Sequence, residues 1–119
     1  MDERREAVRI PLVVKVSLKK TNESHYYFSK DISVGGMFIE THEAFPIGAI
    51  VGLDFSLPVR GKQHQMNIDG EIVRAVENST SMPDEESPGM GVRFMLLSHD
   101  SSKLLAEFID EILNNQRPS

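Results

Sequence analysis

The stretch GMGVRFMLLSHDSSKLLAEFIDEIL, residues 89–113, changes period halfway. Residues 91–97 read as a strand. After Ser98 the apolar positions Leu104, Leu105, Phe108, Ile109, Ile112 and Leu113 fall at the i, i+4 spacing of an amphipathic helix. Ser98 or Asp100 is placed to cap its start, and residues 114–119 are expected to fray. Everything upstream of this junction follows the shorter period. Ile10, Leu12, Val14, Val16 and Leu18 alternate with Lys15, Ser17 and Lys19, the pattern of a half-buried strand. Pro11 suits the first position or edge of such a strand. Strands are further expected over 25–30, 37–40, 51–57 and 66–76. Turns are expected at 21–24 and 45–48, a loop over 58–65 around Gly61, and a mobile polar loop over 78–88. Five to seven antiparallel strands closed by one terminal helix describe an all-β chain with a terminal helix: a small antiparallel β-barrel with the helix packed on it.

Bulk properties limit what such a barrel does. The chain has 119 residues, the size of one domain, and buries enough surface for one core without staples. Hydrophobic residues make up 39% and charged residues 26%, ordinary values for a water-soluble domain. There is no cysteine, so neither disulfide nor thiolate chemistry is available. No apolar run approaches the roughly 20 residues that span a bilayer, and the charged start MDERRE does not read as a secretory signal. A cytoplasmic location without membrane insertion is expected. The net charge is −5 but unevenly spread. Residues 1–20 carry six basic side chains against three acids, a local +3, and residues 21–119 carry seven against fifteen, a local −8. DNA and RNA are poor partners for that acidic remainder. A small anion at one basic spot is not.

Two short stretches concentrate chemistry. RREAVR, residues 4–9, sets Arg5 and Arg9 four apart with Arg4 directly before them. Guanidinium groups take phosphates bidentately and stack on flat rings. Residues 1–9 have no apolar periodicity and read as a flexible arm ahead of a domain over 10–115. DISVGGM, residues 31–37, then puts an acid, a hydroxyl and two adjacent glycines between hydrophobic runs. Such a stretch is either an elaborate turn, with Asp31 bonding its own backbone, or a place where a ligand meets the chain. Asp31 has the acceptors for the N1–H and N2–H₂ edge of guanine, Ser33 donates or accepts, and Gly35 and Gly36 let a flat base or a phosphate come close. His25, His42, His64 and His99 are scattered without metal-ligand spacing. Nothing around Ser33 has the strand–elbow context of a nucleophile, so no catalytic residue and no metal site are assigned.

The order RxxxR, then D/NxSxxG a short strand pair later, resembles the signature of the PilZ domain, a bacterial receptor for cyclic di-GMP. Arg5 and Arg9 stand at the two arginines, and Asp31, Ser33 and Gly36 at the acid, serine and glycine, with Gly35 an extra glycine at a variable position. GMGVRFMLLS followed by a helix also looks like the end of that domain, and the similarity runs from Arg4 to about Leu113. The resemblance implies a six-stranded antiparallel β-barrel capped by a C-terminal α-helix. It implies arginines gripping phosphates and guanines, with Asp31, Ser33 and Gly36 against a guanine, and Gly35 is expected beside them in the site. Arg4 stands where an arginine accompanies an intercalated ligand dimer in that family, and Arg74, on a late strand, is expected as a further contact. The expected ligand is therefore cyclic di-GMP, bound without a cofactor, and the expected partner a protein effector that reads the bound state. The competing expectation is an adaptor of the same fold that works through protein contacts alone.

Overall fold

A computed structural model describes residues 8–77 and 88–115. Among the described residues, seven strands and one helix follow one another: β1 (Ile10–Pro11), β2 (Lys15–Lys20), β3 (Glu23–Ile32), β4 (Gly36–Glu40), β5 (Ile50–Val59), β6 (Lys62–Val76), β7 (Gly89–Met95) and α1 (His99–Asn115). All pairings are antiparallel and run β3–β2–β5–β6–β7–β4, with β4 returning to β3. Six strands thus close a barrel. The two-residue β1 lies in line with β2 along the same edge of β3, pairing Ile10 with Ile32 and Pro11 with Asp31.

The single strand expected from Ile10 to Leu18 is therefore two pieces. Between Pro11 and Lys15 the first piece carries one residue more than β3 opposite it. Ser29 fills the gap: its hydroxyl donates to the Leu12 carbonyl and accepts from the Val14 N–H at 3.0 Å. The inward set survives the break, since Ile10, Val16 and Leu18 are buried while Val13 is exposed.

The loop expected over 58–65 is instead the tip of a long hairpin. β5 pairs with β6 up to Val59 opposite Lys62, leaving Arg60 and Gly61 as a two-residue turn. Both have positive φ, 51° and 77°, the requirement of the tight turn whose twist matches the flanking strands. Pro58 is compatible with this pairing. It lies one residue before the closing pair, where its missing N–H faces the side that β2, paired only to residues 52–54, leaves open.

Alternation supplies the core. Val51, Leu53, Phe55, Leu57 and Val59 of β5 meet Met66, Ile68 and Ile72 of β6, with Met90, Val92 and Phe94 of β7 closing the wall. One end is covered by α1 through Leu105, Phe108 and Ile109. Ser98 is the cap, its hydroxyl accepting from the Ser101 N–H at 3.0 Å. The hairpin tip is tied to the same helix, because the Arg60 N–H donates to Glu111 at 2.7 Å and its guanidinium pairs with Glu107. These acids hold the Arg60 guanidinium above its ordinary pKa, chiefly through the Glu107 hydrogen bond. The helix runs regularly through Asn115, beyond the expected onset of fraying. The remaining tail, 116–119, and all of the expected mobile loop except Pro88 lie outside the described residues. Among the described residues no helix is long and apolar enough to cross a membrane.

Candidate functional site

Along β3 the odd residues Tyr27 and Ser29 turn inward, Tyr27 partly buried and Ser29 fully. At Lys30 the register against β4 slips by one residue. Such a bulge re-aims the chain after it. Ile32 now faces the core, and Asp31, which unbroken alternation would have buried, turns to the surface with 23% of its side chain exposed. A second slip, at Val73 of β6, sets Arg74 opposite Gly91 of β7. Both bulges border the same groove of about 410 Å³, which Arg9, Asp31, Ser33, Gly35, Gly36, Arg74 and Arg93 all line.

The two motifs meet there through Arg9. Its Nε and one terminal nitrogen both approach Asp31 Oδ1 at 2.7 Å, and its other terminal nitrogen lies 3.4 Å from Ser33 Oγ. Ser33 is itself part of the turn. Its hydroxyl accepts from the Gly35 N–H at 3.2 Å, and its own N–H donates to the Gly36 carbonyl at 2.8 Å. The Gly35 carbonyl accepts from the Phe94 N–H at 2.8 Å, which fastens the turn to β7. The DISVGG stretch is thus a tied-down turn bordering an open groove, with Ser33 rather than Asp31 bonding the turn's own backbone and Asp31 bonded to Arg9 instead.

The two glycines differ in what they permit. A Cβ on Gly36 would stand 2.1 Å from the Val92 carbonyl oxygen, so the β4–β7 ladder requires glycine there. A Cβ on Gly35 would meet nothing within 4 Å, and its backbone is not in the left-handed region. Steric need explains Gly36 and leaves Gly35 unexplained by the fold.

Six groove residues were not expected from the sequence, Met37, Phe38, Val73, Gly91, Val92 and Arg93, and three of them shape the site most. Arg93, on β7, is ion-paired with Glu71 of β6. Phe38, opposite Asp31 and Gly91, is 7% exposed, with Lys30 Nζ 5.8 Å and Arg74 Cζ 6.0 Å from its ring centre. Val73 is the bulge residue itself. Outward alternation on the last strand was a usable signal for Arg93, but its neighbours come from pairings more than twenty residues away. Of the site residues expected, the structure brings together Arg9, Asp31, Ser33, Gly35, Gly36 and Arg74, while Arg4 and Arg5 lie outside the described residues.

A wider hollow of about 810 Å³ lies at the other end of β3. Tyr27 and Phe45 meet edge to face there at 6.3 Å. Partial burial, and secondarily Glu43, raise the Tyr27 phenol pKa. Among the described residues, none of either motif lines this hollow.

Among solved structures the chain is similar to the Bacillus subtilis inhibitor of motility MotI/DgrA, at 20% identity and a TM-score of 0.80. That alignment covers 98% of this chain and 54% of the other, so the chain spans about half of MotI. The PilZ domain of Escherichia coli YcgR, solved with c-di-GMP, aligns at 17% identity and a TM-score of 0.66 over 92% of both chains. The PilZ domain of CeSA, from a cellulose-synthesizing bacterium, aligns at 11% identity and 0.58 over 89% of this chain and 98% of that one. At such identities these likenesses establish the fold alone. Curated proteins offer no match. The PilZ domain family model, however, matches residues 3–111, a span that takes in both motifs, the closed barrel and most of α1, and the chain therefore belongs to the PilZ domain family.

Proposed function

We propose that the chain is a receptor for cyclic di-GMP that passes the bound state to a protein effector and catalyses no reaction. The observation that carries this reading is the meeting of Arg9 with Asp31 and Ser33 in one open groove, across 22 and 24 residues of sequence. In this reading Arg4, Arg5 and Arg9 supply cations for the two phosphates. Asp31 accepts from the guanine edge, and Gly35 leaves its backbone open to the base. Arg74 and Arg93 form the opposite bank of the groove. The PilZ domain of YcgR, solved with this ligand, supports the ligand class. The site works in the cytoplasm, where a soluble nucleotide messenger reaches it.

Titration calorimetry with cyclic di-GMP tests the proposal. A saturable isotherm that weakens roughly ten- to hundredfold on Arg5→Ala or Arg9→Ala is expected, the loss of one charge-assisted hydrogen bond each. Unchanged affinity in both variants defeats it. One observation favours a second reading, an adaptor that needs no ligand: Arg9 already satisfies Asp31 and Ser33 from within the chain. Silence in the same titration, with the fold intact, would select that reading.

A further inference from the structure

We infer that Arg9 sets base specificity by standing in for guanine: its guanidinium occupies Asp31 and Ser33 and gives way only to a base that presents the same donors. The inference rests on the proposed function and goes beyond it, because it assigns the unliganded contact a role.

The chemistry follows from the shape of the contact. All three guanidinium nitrogens of Arg9 face the acid and hydroxyl of the second motif, two on Asp31 Oδ1 at 2.7 Å and one on Ser33 Oγ at 3.4 Å. Guanine's N1–H and N2–H₂ edge is itself a guanidine fragment, a flat array of parallel N–H donors. An acid built to receive one receives the other. That edge needs one carboxylate oxygen for each N–H, and Oδ1 is already taken twice. A guanine therefore docks only when Arg9 withdraws. The released guanidinium, on a side chain 45% exposed at the groove's lip, is then free to meet a phosphate. Adenine offers Asp31 a ring-nitrogen acceptor beside its amine. It cannot replace the contacts it would break, so Arg9 stays in place and the phosphate loses a partner. Each charge-assisted hydrogen bond kept or lost amounts to roughly ten- to hundredfold in affinity, enough for one displaced arginine to separate the two bases.

The experiment follows the Arg9 Nε–H of the ¹⁵N-labelled full chain by NMR, with the peak identified by its loss in Arg9→Lys. In the free protein Asp31→Ala and the milder Asp31→Asn should both move it toward the position of exposed arginines. Saturating cyclic di-GMP should move it in the wild type, and cyclic di-AMP at equal concentration should not. Calorimetry on Arg9→Lys supplies the second readout. Lysine keeps the charge and loses the fork, so the preference for cyclic di-GMP over cyclic di-AMP should fall roughly tenfold even where overall affinity is kept. An Arg9 signal indifferent to both Asp31 variants, unmoved by bound cyclic di-GMP, or moved equally by both nucleotides overturns the inference, as does an unchanged preference in Arg9→Lys. Calorimetric silence of the wild type toward cyclic di-GMP removes the proposed function and this inference together. Binding with an immobile Arg9 removes this inference alone.

Discussion

Gly35 and Gly36 stand side by side in the motif and should respond in opposite ways to alanine. At Gly36 the added carbon meets the Val92 carbonyl oxygen at 2.1 Å. Backbone on both sides must shift, an overpacking cost of about 1–3 kcal/mol, visible as a lower midpoint in urea unfolding. At Gly35 the same carbon enters open space. Gly35→Ala should leave stability unchanged or raise it by about 0.4–1 kcal/mol through the unfolded chain. If a base approaches that backbone, affinity for cyclic di-GMP falls all the same; equal affinity would show that nothing lies against Gly35. Asp31 offers a sharper sign test. It is an acid beside a proposed dianionic ligand, so charge alone says that Asp31→Ala should tighten binding. Guanine recognition says that it should weaken it, by roughly tenfold or more for a lost charged acceptor. Calorimetry decides the sign. The motif's residue types could be recognised from sequence because each is a statement about local chemistry. What the sequence did not disclose is that Ser33 is buried within its own turn and that Gly36 is demanded by a strand more than fifty residues away.

Elements whose burial alternates cleanly were readable from periodicity, and the places where reading failed are where alternation breaks. β5 alternates from Val51 to Val59 without a fault, and the stripe on α1 holds from Leu104 to Leu113. The shifts at Lys30 and Val73, and the extra residue between β1 and β2, are one-residue events that composition does not announce. Yet the first two set the direction of Asp31 and Arg74, so the groove is built from the least legible parts of the strands. Its far bank was hidden for another reason: Phe38 and Arg93 reach the site through the β4–β7 ladder, a pairing that local sequence cannot specify. The helix cap is a local device and supports a local prediction. Ser98→Ala should cost about 1 kcal/mol, since it orphans the Ser101 N–H. The loss should appear as a lower thermal midpoint with cyclic di-GMP affinity unchanged, because the cap lies on none of the groove's elements. A change in affinity without a change in midpoint would mean that α1 takes part in binding.

Across the whole molecule two electrostatic fields compete for the proposed ligand. The chain after residue 20 carries a net −8, which repels a dianion, while the first twenty residues carry +3. The groove itself settles little: its lining holds Arg9, Arg74 and Arg93 against Asp31, and Glu71 is paired to Arg93. The described wall thus carries a net charge of only +1, from three arginines against two acids, and Arg4 and Arg5 add two further positive charges to the motif in sequence. Screening acts over about 8 Å at physiological ionic strength, and the molecule extends 42 × 35 × 27 Å. The molecule is thus several screening lengths across, so an acid far from the groove is muted in ordinary buffer, whereas cations in direct contact with phosphate keep most of their effect. Affinity for cyclic di-GMP should consequently fall as salt rises. The slope should belong mainly to Arg4 and Arg5: replacing both with alanine should flatten the salt dependence more than Arg9→Ala does, because Arg9 gives up the Asp31 contact when it takes up a phosphate and its net gain in charge pairing is smaller. Calorimetry at several ionic strengths on the three proteins measures this directly. An affinity that rises with salt would mean that the acidic remainder dominates. An unaltered slope in the Arg4/Arg5 double variant would place the phosphates away from the arm, on the Arg74 and Arg93 side of the groove.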